Sequence, residues 1–297
     1  MKLQNCITGL VLISAIILSS CKSNKPQDSE VIDYGDIKLD EAKNVISSND
    51  TIGEGLPIFY NMYLSVEMSS LFESVDAVFD QDLLNKADKT TDYITSSKKA
   101  LNLGVYAVDL SYARIFDQLE IAGRYFNSMQ KLSEELGIPG DFFLNTAKRF
   151  ERNINDKDSL IKIANEIYQE TDSYLKENEQ YSAAAQIILG GWIEAIYIAS
   201  KVAIETRDIN IIERFADQKY SLKNLLDMLS NFKNDEVINH YIGKLKVVAN
   251  KFNTLKFNIP DNPDLKSTEV KTAISKANTQ IEAINKLITE IRKETIE

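Results

Sequence analysis

Residues 270–291 read VKTAISKANTQIEAINKLITEI, and this stretch gives the clearest structural signal in the chain. Its apolar residues alternate spacings of four and three, the heptad pattern of a helix with one apolar seam. The seam consists of Val270, Ile274, Ala277, Ile281, Ile284, Ile288 and Ile291. Because an apolar seam must be covered, this helix is predicted to pack on the body of its own bundle or, alternatively, on a protein partner.

Helical periodicity also runs through the sequence upstream of this seam, and alternating strand-like stretches are nearly absent. The prolines after residue 56 can all sit at helix starts or between helices, where their rings cause no clash. The fold class is therefore predicted to be all-α, a multi-helix bundle or helical-repeat-like array with a long C-terminal heptad helix. A break in the second helix is expected near Gly104 or Gly123, and the predicted helices are 57–79, 91–135, 140–153, 157–177, 181–206, 208–231, 235–255 and 267–296.

The first 20 residues have the composition of an export signal. Lys2 supplies a positive charge, and the run from Ile7 to Leu18 is almost entirely apolar but short for a membrane span. The run ends in Leu18-Ser19-Ser20-Cys21, which resembles the lipobox of bacterial lipoproteins. In that family the cysteine thiol is diacylated, the chain is cut before it, and the new amine is acylated. The resemblance implies that residues 1–20 are a signal peptide and that Cys21 is the lipidation site.

Cysteine content agrees with this resemblance. The chain has two cysteines, and Cys6 lies within the signal, so the mature protein cannot form an intramolecular disulfide. Three acyl chains on Cys21 would hold the protein at a bilayer. Position 22 is lysine rather than the aspartate that retains well-studied lipoproteins at the inner membrane, so the resemblance implies the outer membrane, at its periplasmic face or the cell surface. The alternatives are a plain secreted protein or a short anchor helix.

Residues 21–55 are polar and lack sustained helical periodicity. They are predicted to be a lipidated flexible tether, and about 30 such residues would span about 30 Å. Residues 56–297 then form the helical domain, either as one unit or as two packed halves at about 56–178 and 179–297. This plan, together with the segment Leu103-Gly104-Val105-Tyr106, resembles helical lipoproteins of Bacteroidota with no assigned role, and it therefore implies no activity.

The charge of the chain excludes several classes of partner. The formal net charge is −10, and removal of Lys2 with the signal lowers it by one. An acidic protein without a basic run is a poor nucleic-acid binder and gains nothing from anionic lipid headgroups. The lipid, rather than charge, is therefore expected to provide the contact with the bilayer.

The sequence contains no catalytic, metal-binding or cofactor-binding motif. The single histidine, His240, has no second histidine four residues away on a helix face, and no glycine-rich phosphate loop follows a strand. A serine nucleophile would need an elbow and a histidine base. We therefore predict a non-enzymatic protein without cofactors that serves as an interaction or envelope-accessory domain.

Two isolated acids, Asp109 and Glu194, lie in the most apolar helices. A buried carboxylate is costly unless it is paired, hydrogen-bonded or protonated, so donors are expected among the tyrosine hydroxyls, Arg114, Lys201 and Arg207. One interpretation is an internal network that fixes helix register. The alternative is a pocket for a nutrient or small molecule, lined by Asp109, Glu194, Tyr106, Trp192, Tyr112 and Tyr197. A third hypothesis, a hydrolase, would use the two acids as general acid and base.

The segment Leu103-Gly104-Val105-Tyr106 has a faint echo 86 residues later in Leu189-Gly190-Gly191-Trp192. One interpretation is a duplicated helical unit that frames a pseudo-symmetric site. The other is two core helices that each need glycine for a close helix–helix approach.

Overall fold

The computed structural model describes residues 77–138, 148–149, 152, 180–257, 259 and 263–297. Within these ranges the helices are α1 (Ser96–Ile115), α2 (Leu119–Glu135), α3 (Tyr181–Thr206), α4 (Ile209–Leu229), α5 (Glu236–Phe252) and α6 (Thr268–Ile296). Short 3₁₀ helices occur at Gln81–Leu83, Ala87–Asp92 and Ser230–Phe232. No β-strand occurs in the described ranges, and the all-α prediction is confirmed.

Polar side chains fix the starts of four helices. Thr95, Asp208, Asp235 and Ser267 each precede a helix and accept a hydrogen bond from a backbone N–H of its first turn. These N–H groups have no partner within the helix, so a capping oxygen stabilises the helix by about 1 kcal/mol. The predicted starts of the last three helices coincide with their capping residues.

Helix α3 lies at the centre of the fold. Its residues are buried almost continuously from Ala184 to Ala203, and it packs against α1, α6 and α4. Helix α2 covers α1, and α5 packs on α4 and α6. By length and composition α3 could cross a membrane, but 78% of its most apolar window is buried inside the fold. A helix that is apolar on all sides and enclosed by other helices is a core helix.

Helices α1 and α3 come into backbone contact at two glycines. A Cβ atom on Gly104 would lie 1.9 Å from the carbonyl oxygen of Ile187, and one on Gly190 would lie 1.9 Å from that of Leu101. Both distances are far inside van der Waals contact, so only residues without a side chain permit this crossing. Gly104 and Gly190, which the two similar segments share, therefore allow two core helices to approach closely. Whether the two segments arose from a duplicated helical unit stays a prediction.

Helix α6 packs on the bundle through its apolar seam. It contacts α3, α5, α1 and α4, and Ile274 is partly buried against the core. The rest of the seam is buried: Val270, Ala277, Ile281, Ile284, Ile288 and Ile291. The seam is therefore covered by the chain's own helices, which is the first of the two alternatives that the heptad pattern left open.

The predicted helix 91–135 is two helices, and the expected break near Gly104 or Gly123 is wrong. Both glycines lie inside helices, and the chain turns instead at Asp117, which has a left-handed φ of 54°. The backbone N–H of Asp117 donates to the carbonyl of Arg114 at 3.1 Å and closes the end of α1. The turn redirects the chain so that α2 can cover α1.

The remaining helix predictions fall into two groups. The prediction 181–206 is confirmed at both ends, and 208–231, 235–255 and 267–296 are confirmed to within a few residues. The signal peptide, the tether and Cys21 lie outside the described residues, as do most of the predicted helices 57–79, 140–153 and 157–177. Residues 77–79 are described and are not helical.

Candidate functional site

Two carboxyl groups and one guanidinium meet at the centre of the bundle. Asp109 on α1 and Glu194 on α3 are both 0% exposed, and Arg292 on α6 is 9% exposed. The glycine crossing of α1 and α3 lies about one helical turn before each acid, and it brings the two helices close enough for the carboxyl groups to meet. We call these three residues the buried ion network.

Arg292 holds Glu194 in a bidentate ion pair. Its Nε and Nη2 atoms each donate a hydrogen bond of 2.6 Å to a different oxygen of the carboxylate. Nη2 also donates to the carbonyl of Leu83 at 2.8 Å, and the guanidinium carbon lies 4.1 Å from the ring centroid of Tyr197. Burial alone would lower the pKa of Arg292, but the charge and hydrogen bonds of Glu194, together with smaller effects of neighbouring groups, outweigh burial and raise that pKa.

Asp109 is the second carboxyl group beside a single cation. Its Oδ2 accepts the backbone N–H of Asn85 at 3.2 Å, whereas Oδ1 has no hydrogen-bond donor. Burial, followed by the neighbouring charge of Glu194, raises the pKa of Asp109 well above its ordinary value. Protonation of Asp109 would remove the repulsion between the two carboxyl groups. The buried ion network then has no net charge.

Tyrosine hydroxyls surround the Asp109 side of the network. Asn85 donates from Nδ2 to the hydroxyl of Tyr93 at 2.8 Å, and Tyr125 donates to the carbonyl of Asn85 at 2.6 Å. The Tyr106 hydroxyl donates to the carbonyl of Lys86 at 2.9 Å. Its oxygen lies 3.4 Å from the hydroxyl oxygen of Tyr93. Burial raises the pKa of Tyr93, Tyr106 and Tyr125, so their hydroxyl groups remain neutral.

Part of the predicted pocket set comes together in this network. Asp109 and Glu194 are in contact through their carboxyl groups, Tyr197 lies against the guanidinium, and Tyr106 belongs to the adjoining tyrosine cluster. All four side chains are buried in the core. This arrangement favours the internal network over the ligand pocket as the interpretation of these four residues.

Two other members of that set lie in separate parts of the core. Trp192 donates from Nε1 to the hydroxyl of Ser221 at 3.0 Å and so connects α3 to α4. Tyr112 packs on the rings of Phe79 and Phe116, with centroid distances of 5.5 and 5.0 Å. Both aromatic residues therefore stabilise contacts between segments of the bundle, outside the buried ion network.

The prediction of the cation that pairs with these acids was wrong. The partner of Glu194 is Arg292, from a helix 98 residues away, rather than Arg114, Lys201 or Arg207. A sequence signal for this residue exists beside the seam, because Asn278, Asn285 and Arg292 follow one another at heptad spacing and are all buried. Asn285 donates to Ser200 on α3 at 2.7 Å, so this polar column faces the central helix.

The C-terminal turn of α6 is held by side chains of α1. Lys98 donates to the carbonyl of Glu294, and Asn102 donates to the carbonyl of Thr295 at 2.9 Å. Carbonyls in the last turn of a helix have no partner within it, and a cation beside them opposes the helix dipole. These contacts hold α6 in the register that places Arg292 beside Glu194.

Two surface grooves formed by described residues could bind a ligand, and neither is lined by Asp109 or Glu194. One of about 720 Å³ lies between α4 and α5, and one of about 360 Å³ lies where α1, α5 and α6 meet. Within the described ranges, no three His, Cys, Asp or Glu residues are grouped so that they could hold a metal ion. Binding to an external molecule is therefore open to these two grooves, whereas Asp109 and Glu194 are fully buried.

No family model, curated protein or solved structure matches this chain.

Asp109→Asn is expected to stabilise the protein at neutral pH by about 1–2 kcal/mol. Asparagine has nearly the same shape as a neutral aspartic acid, and its side chain does not ionise in the unfolded protein. Folding raises the pKa of the Asp109 carboxyl group, so the contribution of this group to stability is fully present below its ordinary pKa. That contribution is lost as the pH rises towards the raised pKa of the folded protein. The free energy of unfolding, measured in urea across this acid-to-neutral range, should therefore diverge between wild type and variant as pH rises.

Asp217→Asn is the matched control, since Asp217 is exposed on α4. It should leave the slope of stability against pH unchanged. Strong destabilisation by Asp109→Asn at neutral pH would show that Asp109 is ionised in the folded protein.

Proposed function

We propose that this chain is a lipid-anchored helical domain of the bacterial envelope, which acts by binding a partner rather than by catalysis. Acylation at Cys21 would hold it at the outer membrane, with residues 21–55 as the tether. The anchor is supported by the lipobox-like Leu18-Ser19-Ser20-Cys21 and by Cys21 being the single cysteine left after removal of residues 1–20.

The non-catalytic role is supported by the burial of Glu194 and by its ion pair. Its carboxylate is 0% exposed and has both oxygens bonded to Arg292, so its charge is already neutralised. A general acid or base must reach the proton that it transfers. Hydrolysis by Glu194 and Asp109, or capture of a small molecule between them, would need an opening beside these side chains. We therefore favour binding at the outer surface of the bundle.

Cys21→Ser is expected to release the protein from the membrane, because it removes the thiol that would carry lipid. In the producing bacterium, the wild-type protein should remain in the membrane fraction after washing with buffer and should be extracted by detergent. Mass spectrometry of the mature N-terminal peptide should show three acyl chains on the wild type and none on the variant.

Cys6→Ser is the control, since it changes the other cysteine inside the predicted signal. It should leave fractionation and acylation unchanged. An unmodified Cys21 in wild-type protein that washes off with buffer would contradict the anchor.

A further inference from the structure

The groove between α4 and α5 combines an apolar floor with a basic rim. Its volume of about 720 Å³ is within the range of ligand-binding clefts. The floor contains Leu226, Ile242, Ala249, Phe252 and Leu255. The charged residues that line it are Lys219, Lys223, Lys246, Lys256 and a single acid, Asp227.

This concentration of lysine is unusual in a chain with a formal net charge of −10. Lys223 forms an ion pair with Asp227 at 3.1 Å, but both side chains are more than two-thirds exposed, so the pair contributes little. Lys219, Lys246 and Lys256 form no ion pair within the part of the chain that the structure describes. Four positive charges around one cleft repel one another and attract an anion.

An exposed aromatic ring adds apolar surface at the rim. Tyr220 is 47% exposed, and the Nζ atom of Lys219 lies 4.7 Å from its ring centroid. The buried floor beneath includes Phe252, which is 1% exposed and packs on Phe215. A ligand in this groove therefore meets apolar surface and ammonium groups together, which favours an anion that also carries apolar groups.

The lysines are spread along the groove rather than gathered at one end. Lys219 and Lys223 lie one turn apart on α4, while Lys246 and Lys256 lie ten residues apart on the other wall. The α4 wall runs from residue 219 to 230, which is about 16 Å at the rise of an α-helix. An amphiphile with a single charged head would match one part of this rim, whereas a ligand with several charges along its length would match all of it.

We propose that this groove binds an acidic segment of another protein, in which carboxylates alternate with apolar side chains. The carboxylates would pair with the lysines on both walls, and the apolar side chains would contact Tyr220 and the floor. This inference rests on the proposed binding role and is independent of lipid attachment at Cys21. Extended polyanions such as nucleic acids fit less well, because the rest of the protein repels them.

The experiment uses the full mature chain with Cys21→Ser, so that binding is measured apart from anchoring. The probe is a fluorescent peptide of about 12 residues built from glutamate and leucine, which is long enough to span the groove. A peptide with glutamine in place of glutamate tests the need for charge, and phosphatidylglycerol vesicles test binding to lipid. Fluorescence anisotropy gives the dissociation constants, and circular dichroism checks the fold of each variant.

The triple variant K219E/K223E/K246E is expected to weaken binding of the acidic peptide by about tenfold or more, since each attraction becomes a repulsion. The control variant K271E/K276E/K286E makes the same charge change on exposed lysines of α6. It should alter binding by less than about threefold, because none of these three lysines lines the groove.

Four outcomes would overturn the proposal. These are no binding of the acidic peptide, equal binding of the glutamine peptide, equal loss in both triple variants, or groove-dependent binding of the vesicles instead of the peptide. None of them bears on acylation, which the fractionation of Cys21→Ser tests separately.

Discussion

Arg292→Met is expected to lower the free energy of unfolding by about 3–5 kcal/mol at neutral pH, because it leaves the Glu194 carboxylate buried without its counter-charge. For a domain of this size, the melting temperature should fall by roughly 10 °C. Chemical denaturation and calorimetry measure the two quantities.

Lys293→Met is the matched control for this variant. It removes one positive charge at the next position of α6, where the side chain is 70% exposed. Its effect should stay within about 0.5 kcal/mol, as for most surface substitutions. The double variant E194Q/R292M removes both charges and should be more stable than R292M alone. Equal effects of R292M and K293M would contradict the buried ion pair.

Gly190→Ala is expected to cost at least about 4 kcal/mol or to prevent folding, although alanine normally favours a helix. The added methyl group would lie 1.9 Å from the carbonyl oxygen of Leu101, which is backbone and cannot rotate away. The α1–α3 contact would have to open, and the contact between Asp109 and Glu194 would open with it. The expected result is a large loss of solubility or of cooperative unfolding.

Gly243→Ala is the control, because a Cβ atom at that position of α5 meets no atom within 4 Å. It should stabilise the protein by about 0.5–1 kcal/mol, which is the ordinary gain of alanine over glycine in a helix. If Gly190→Ala also stabilised the protein, the two helices could not cross as closely as described.

The sequence predicted helices well where local signals define them. Helix α3 has a long apolar composition and no internal proline, and the next three helices begin after capping residues that the sequence displays. The predicted position of the break between α1 and α2 is wrong, because it was placed at a glycine on the ground that glycine is a weak helix former. Gly104 is instead required by contact with α3, and the turn occurs at Asp117, which no local glycine or proline marks.

The buried ion network could be predicted only in part. Burial of Asp109 and Glu194 followed from the apolar residues around them, as did the need for a donor. The identity of that donor did not follow, because Arg292 lies 98 positions along the chain from Glu194, and heptad spacing can place Arg292 on a buried face without identifying its partner. The seam of α6 was recognisable from its isoleucines, whereas the adjoining Asn278, Asn285 and Arg292 are polar residues, and polar residues alone do not indicate burial.

The distance along the chain between Glu194 and Arg292 also sets an order of events during biosynthesis. Translation delivers both acids long before the cation, so a nascent chain that ended at α5 would hold two carboxyl groups with no guanidinium to enter between them. Closing the hydrophobic interior at that stage would be unfavourable. Completion of the bundle must therefore await α6, so the contacts among α1, α3 and α6 form last.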